Sequence, residues 1–264
     1  MKQYKGAVFF DFDGTLVDET EKLYSPTEKT IESLKQLKEN GFLVGLSTGR
    51  SKFYVPKTNI DFECYVTSNG AFVSVENEVI YDNVIDQKTL DELFDFFKKS
   101  GMGYMPENQE MCYLAETGRE EFEKMLNWFN IDVSKFLPIP ADKKVKANKL
   151  MFSYTDPSVF TYLKEKYGDE FNITKHRTTK SGDMGKKCHT KASGIKKVLE
   201  YLKLDLKDTY AFGDSDNDIE MLSSVGHSVG MGKHTDSVEK VAEFITDTVS
   251  NEGIYKGLKH FNLI

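Results

Sequence analysis

Two rhythms of hydrophobic positions alternate along the chain. Ala7, Val8, Phe9 and Phe10 form an unbroken apolar run, the pattern of a strand buried on both faces, and it stops abruptly at Asp11. Ile31, Leu34 and Leu37 then recur at helical spacing behind Ser25-Pro26-Thr27-Glu28. Ser25 is the expected cap there, with Pro26 in the first turn and Glu28 closing a capping box. Gly41 marks the helix stop. Residues 42–46 are a second apolar strand, running into Ser47-Thr48-Gly49-Arg50. Residues 1–50 therefore read as a β-α-β unit, which implies a parallel sheet with polar clusters at its strand ends. Residues 64–75 read as a strand, an Asn69-Gly70 turn and another strand.

The pattern changes near Asp82. Leu90, Leu93, Phe94 and Phe97 are helically spaced ahead of Gly101, and Phe122, Met125, Leu126 and Phe129 mark another helix. Residues 111–115, 149–154 and 171–174 read as strands, and Asp156-Pro157 opens a helix through Phe160 and Leu163. The lysine- and glycine-rich residues 180–187 read as a linker. The first rhythm then resumes. Ile195, Val198, Leu199 and Leu202 make an amphipathic helix, and residues 209–212, 225–232 and 244–246 read as strands. The expectation is an α/β domain built from both ends of the chain, residues 1–81 and 184–264, interrupted by an inserted domain over residues 82–183. No internal repeat is visible.

Composition narrows the classes. The 264 residues can bury a large core, and 39% hydrophobic with 29% charged residues describes an ordinary soluble protein. A net charge of −7 disfavours nucleic acid as partner and requires local positive charge for any anionic substrate. Cys64, Cys112 and Cys188 are scattered without a CxxC pair, so reduced thiols in a cytoplasmic protein are expected and zinc is not. The five histidines show no metal-ligand spacing. No apolar stretch approaches the length of a signal peptide or a membrane span.

The chemistry sits where strands stop. Asp11 and Asp13 share one side of the extended chain, and two close anions call for a cation or a proton. Ligands of open α/β sheets bind at the carboxyl ends of the strands. Strands lying side by side bring Asp11-Phe12-Asp13-Gly14-Thr15, Ser47-Thr48-Gly49-Arg50 and the Gly213 to Asp218 cluster to one edge, and Lys191 at its helix start can point there. All-oxygen ligation favours magnesium. Magnesium with one lysine neutralises a phosphate, and a neighbouring carboxylate can attack phosphorus. Each piece alone has a plainer reading. DxDG is commonly a turn, Thr48-Gly49-Arg50 can be a strand-ending turn with a solvated arginine, and most lysines lie on the surface. His176 and His189 read as ordinary polar residues. Asp214, Asp216 and Asp218 have calcium-loop spacing, but Ile219 and Val225 occupy the positions where that loop needs glycine and glutamate, and the loop at Asp11 fails at Lys22.

Taken together, the clusters resemble the haloacid dehalogenase-like hydrolases, in the Cof-type sugar-phosphatase branch. The matching residues are Asp11-Phe12-Asp13-Gly14-Thr15-Leu16, Ser47-Thr48-Gly49-Arg50, Ser68-Asn69-Gly70-Ala71, Lys191, Gly213-Asp214-Ser215-Asp216-Asn217-Asp218 with Met221-Leu222, Val229-Gly230-Met231-Gly232 and Asn251-Glu252-Gly253-Ile254. The resemblance implies a Rossmann-like three-layer α/β/α core with an inserted α+β cap of the C2B type. It implies Asp11 as nucleophile and Asp13 as acid, then base. It implies magnesium held by Asp11, the Asp13 carbonyl and Asp214, with Asp218 in support. Phosphoryl oxygens would be held by the Phe12 N–H, Thr48, Lys191 and Asn217, with Gly49 and Arg50 in the same loop; Gly14 would permit the sharp turn and Thr15 brace it.

Lys233, His234 and Cys188 depart from the family pattern, beside the chemistry rather than in it. The expected activity is magnesium-dependent hydrolysis of small phosphomonoesters, most naturally sugar phosphates, through an aspartyl-phosphate. Phosphomutase-type transfer and a non-catalytic phosphate or metal binder are the alternatives. No nucleic acid or membrane partner is expected. Within the cap, His176, Arg177, Lys149 and Tyr113 are candidates for reading the leaving group, and Trp128 is expected in the core.

Overall fold

In the computed structural model, which describes residues 2–176 and 179–264, the opening apolar run forms β1 (Gly6–Phe10), buried at every position. It is followed by α1 (Glu28–Glu39), β2 (Phe42–Ser47), β3 (Cys64–Thr67), β4 (Phe72–Val75) and β5 (Glu78–Asp82). The middle of the chain forms α2 (Gln87–Lys99), β6 (Tyr104–Glu107), β7 (Tyr113–Leu114), α3 (Arg119–Trp128), β8 (Leu137–Pro138), β9 (Lys149–Ser153), α4 (Ser158–Tyr167), β10 (Phe171–Lys175) and β11 (Ser181–Lys186). The last third forms α5 (Lys191–Leu202), β12 (Thr209–Gly213), α6 (Ile219–Leu222), β13 (His227–Gly230), α7 (Asp236–Glu239), β14 (Phe244–Ile245) and α8 (Gly253–His260). Two compact units result: Met1–Gly49, Pro56–Tyr81 and Thr190–Ile264 form one; Arg50–Val55 and Asp82–His189 form the other.

The first unit is organised by an eight-stranded sheet in the order β14-β13-β12-β1-β2-β3-β4-β5. From β14 to β3 the pairs are parallel, and β3 and β4 are antiparallel. β1 lies between β12 and β2, with Phe10 opposite Phe212 and Leu46. Period-two alternation divides the apolar residues between the two faces. Ala7, Phe9, Leu43, Val66 and Ala211 pack against Ile195, Val198 and Leu199 of α5 and Met221 and Leu222 of α6. On the other face Phe10 stacks on Phe212 at 5.0 Å, and Gly257 of α8 lies against the Phe212 ring, where a Cβ would stand 2.5 Å from it. Burying a phenylalanine side chain this completely contributes roughly 1.5–3 kcal/mol relative to exposure.

The helix after β1 starts later than expected. Its cap is Thr27, not Ser25: the Thr27 hydroxyl accepts from the Thr30 N–H at 3.1 Å. Pro26 therefore precedes the cap instead of occupying the first turn.

The second unit carries a four-stranded antiparallel sheet, β10-β11-β9-β6. One face buries Leu150, Phe152 and Met184 against Leu90, Leu93, Phe94 and Phe97 of α2 and Val159 and Leu163 of α4. The other face packs Met105 and Met151 against Phe122, Met125 and Leu126 of α3, together with Tyr54. Two expectations fail here. Residues 180–187 are not a linker, since β11 pairs on both sides; ladder partners override the low strand propensity of glycine and lysine. Trp128 is not in the core. It is the last residue of α3, off the Phe122-Met125-Leu126 stripe, and 44% exposed with its ring against Phe129. Cys64 and Cys112 are buried free thiols and Cys188 is exposed.

Candidate active site

β1 delivers Asp11 at its carboxyl end, 3% exposed. The chain then folds back on itself: the Phe12 carbonyl accepts from the N–H groups of Leu16 and Val17 at 3.0 and 3.1 Å, and Gly14 takes a φ of +86°. That glycine is required twice over. Its φ is left-handed, and a Cβ there would stand 2.3 Å from the Asp214 carboxylate. The Thr15 hydroxyl donates to Asp214 Oδ1 at 3.2 Å, so the loop after β1 grips the loop after β12.

Lys191 enters from the first turn of α5, behind Thr190, which caps the helix in a reciprocal box with Ser193. A cation at a helix N-terminus opposes the helix dipole, and this ammonium is also fully buried. It is held there by Asp11 Oδ1 at 2.5 Å and Asp218 Oδ1 at 2.6 Å. Asp218 uses its other oxygen to accept from the N–H groups of Asp214 and Ser215 at 3.0 and 3.1 Å.

The electrostatics are unbalanced. Carboxylate oxygens of Asp11, Asp214 and Asp218 lie within 4.8 Å of one another, with one ammonium between them. Burial pushes the Asp11 carboxyl up to about 7; Lys191 opposes this, while Asp218 and Asp13 add to it. Burial, followed by the charges of Asp11 and Asp218, raises Asp214 well above the usual carboxylate range. Burial alone would lower Lys191, but Asp11 and Asp218 outweigh it and hold the ammonium charged. Such a cluster of buried anions is costly without a further positive charge. The donors are all hard oxygens, so the set fits a divalent cation such as magnesium.

The other residues singled out in the sequence are placed as follows. The β1–β2 register ends with Phe10 opposite Leu46, so Ser47 and Thr48 follow β2 at the same sheet edge where Asp11 follows β1. Thr48 is buried, and its N–H donates to the Val66 carbonyl at 2.8 Å. Gly49 closes this segment of the first unit. Arg50 belongs to the second unit, where its guanidinium lies 5.6 Å from the Phe129 ring. Asn217 is exposed, its Oδ1 accepting from the Ser215 hydroxyl at 2.7 Å. Lys233, outside the family pattern, reaches Asp18 at 3.0 Å.

In the second unit Lys149 is buried between Asp183 at 2.9 Å and Glu107 at 3.4 Å. The Tyr54 hydroxyl donates to Glu107 at 2.6 Å, and His176 Nε2 lies 3.4 Å from Asp183. Lys149 and His176 are candidates from the sequence, whereas Glu107, Asp183 and Tyr54 are not. Alternation was the available signal, because Lys149 and Met151 of β9 face the same way, but it needs β11 to be recognised as a strand. Tyr113 stands apart, lining a cleft of about 450 Å³ with Asn108, Met111 and Lys144. Arg177 lies outside the described residues.

Comparison with known proteins decides the family. The model of the haloacid dehalogenase-like hydrolase family matches residues 8–258. The chain belongs to the haloacid dehalogenase-like hydrolases. Members resemble it along its whole length. "Putative phosphatase YkrA" of Bacillus subtilis is 29% identical over 264 residues, covering 97% of this chain and 98% of its own. A crystal structure of a protein from Geobacillus kaustophilus superposes with a TM-score of 0.85 at 31% identity, covering 98% of this chain and 99% of the other. The HAD subclass IIB sugar phosphatase BT4131 superposes with a TM-score of 0.83 at 25% identity, over 98% of this chain and all of its own. The α/β architecture is the Rossmann-like fold with a cap that this family shares. The protein is accordingly an enzyme of the hydrolase class. No described helix is long and apolar enough to cross a membrane.

Proposed function

We propose that this hydrolase is a magnesium-dependent phosphatase of small phosphomonoesters, sugar phosphates foremost, acting through an aspartyl-phosphate on Asp11. One observation carries the reading: Asp11 is buried at the end of the central strand, ion-paired to Lys191 and clustered with Asp214 and Asp218. The names of the similar proteins, phosphatases and a sugar phosphatase among them, support the substrate class.

The Asp11 carboxylate attacks phosphorus, forming a new P–O bond as the ester P–O bond breaks. Asp13 gives its proton to the departing alcohol oxygen. Asp13 then takes a proton from water, whose oxygen attacks the aspartyl-phosphate and returns Asp11 with inorganic phosphate. Lys191, the Thr48 hydroxyl, the Phe12 N–H and Asn217 hold the phosphoryl oxygens, with Gly49 and Arg50 completing the loop. Phosphoryl transfer needs mainly positioning and charge neutralisation, which such a set supplies. Asp11, Asp214, Asp218 and the Asp13 carbonyl would hold the ion, which when bound neutralises phosphoryl charge and lets Asp11 ionise.

Residues 1–49, 56–81 and 190–264 act as the catalytic domain, and residues 50–55 and 82–189 as a cap that reads the leaving group; the boundary expected at residue 184 moves past β11, which belongs to the second unit's sheet. The unbridged thiols support a cytoplasmic setting. The test is phosphate release from a panel of sugar phosphates and other phosphomonoesters, with Asp11→Asn alongside. The variant should lose turnover while its circular dichroism spectrum and melting profile stay folded. Turnover retained by Asp11→Asn refutes the nucleophile, and isomerised sugar phosphate in place of inorganic phosphate identifies a mutase.

A further inference from the structure

The Ser68-Asn69-Gly70 turn has no part in the chemistry above, yet its backbone is the most unusual in the site unit. Three consecutive residues take left-handed φ angles: 49° at Ser68, 54° at Asn69 and 86° at Gly70. Isolated left-handed glycines and asparagines are common; a run that includes a serine persists only where its surroundings enforce it.

Both flanks of the turn supply that enforcement. On one side the Asn69 N–H donates to the Thr48 carbonyl at 3.2 Å. The Asn69 side chain lies against Gly49, where a Cβ would stand 3.1 Å from Oδ1, and that oxygen is buried with no hydrogen-bond partner among the described residues. On the other side the Thr190 carbonyl presses so close to Gly70 that a Cβ there would stand 2.1 Å from it. Gly194, one turn into α5, has Val66 Cγ1 2.4 Å and the Gly70 Cα 3.1 Å from where its own Cβ would be. The turn is thus wedged between Thr48-Gly49 and the first turn of α5, the turn that carries Lys191.

We propose that Ser68-Asn69-Gly70 is a positioning element that sets Thr48 and Lys191 in register around Asp11, with Asn69 as its positioning residue; this rests on the phosphatase reading. The left-handed backbone and an amide oxygen buried with no partner among the described residues both cost folding free energy. They do fix the Thr48 carbonyl from one side and limit the travel of Gly49 from the other. Asn69 acts through Thr48 and touches no reacting atom.

Asn69→Gly separates position from stability. It keeps the N–H that reaches Thr48, relieves one left-handed side chain and removes the wedge against Gly49. The expected result is a melting temperature at or above that of wild type, KM within about twofold, and kcat lower by roughly 10- to 100-fold, as misplacement of a transition-state contact produces. Because Asn69 acts through Thr48, adding Asn69→Gly to a Thr48→Ala enzyme should cost little more, a non-additive cycle. Wild-type kcat in Asn69→Gly, or fully additive losses in the double variant, overturns the proposal alone. A wild-type enzyme that releases phosphate from no ester overturns the phosphatase reading, and this inference with it.

Discussion

Asp11, Asp214 and Asp218 were readable because each ends or follows an apolar strand, and parallel strands present their ends at one edge. Their mutual distance was not readable, and it carries a prediction. Oxygens this close and this buried repel one another until a cation arrives. Chelation should therefore abolish phosphate release and magnesium should restore it. Apart from turnover, magnesium should raise the melting temperature, since an ion that binds only the folded protein stabilises it by RT ln(1 + [L]/Kd). Asp214→Asn should diminish that rise. A melting curve indifferent to magnesium would remove the ion from the account. Lys191 was legible as a helix-start lysine able to point at the site, but the two carboxylates that hold it were not. Its position against the dipole becomes meaningful once its two carboxylate partners are seen.

For elements, pattern and packing give opposite forecasts at Gly194. In an exposed helix interior, glycine to alanine gains about 1 kcal/mol. Here a Cβ would lie 2.4 Å from Val66 Cγ1, with the Gly70 backbone behind it. Gly194→Ala should destabilise by about 1–3 kcal/mol, the usual cost of overpacking, measured by denaturant unfolding. The long amphipathic elements, α1, α2 and α5, were legible from their apolar spacing. β11 was not: Ser181-Gly182-Asp183-Met184-Gly185-Lys186 has almost no strand propensity and is a strand only because β9 and β10 flank it. Losing β11 concealed Asp183, and with it the ion cluster around Lys149. The cap of α1 was displaced from Ser25 to Thr27 for a local reason, the reach of one hydroxyl to one N–H.

At the scale of the molecule, that ion cluster ties stability to pH. Burial pushes Glu107 up to about 7; Lys149 counteracts it, Asp183 adds to it, and Tyr54 donates to it. Burial alone would also raise Asp183, but Lys149 and His176 outweigh it and hold the group below the usual range. A raised carboxyl favours the folded state while it keeps its proton. Between about 4.5 and about 7 the unfolded chain has lost that proton and the folded one retains it, so stability falls as pH rises. Unfolding measured across this window should show wild type losing ground to Glu107→Gln as pH increases, and a constant difference above it. Asp183 works in the opposite sense: its contribution is complete above its ordinary range and disappears only in strong acid.

The position of β1 between β2 and β12 also governs how the protein can be made. A nascent chain presents an apolar strand with one permanent neighbour absent until Thr209 to Gly213 emerge, after the whole intervening unit has been translated at about 5–20 residues per second. Asp11 then waits for Asp214 and Asp218, which follow that strand, so a shortened product ending ahead of Asp214 should bind no magnesium. The hydrophobic edge exposed in that interval is what a chaperone would have to cover.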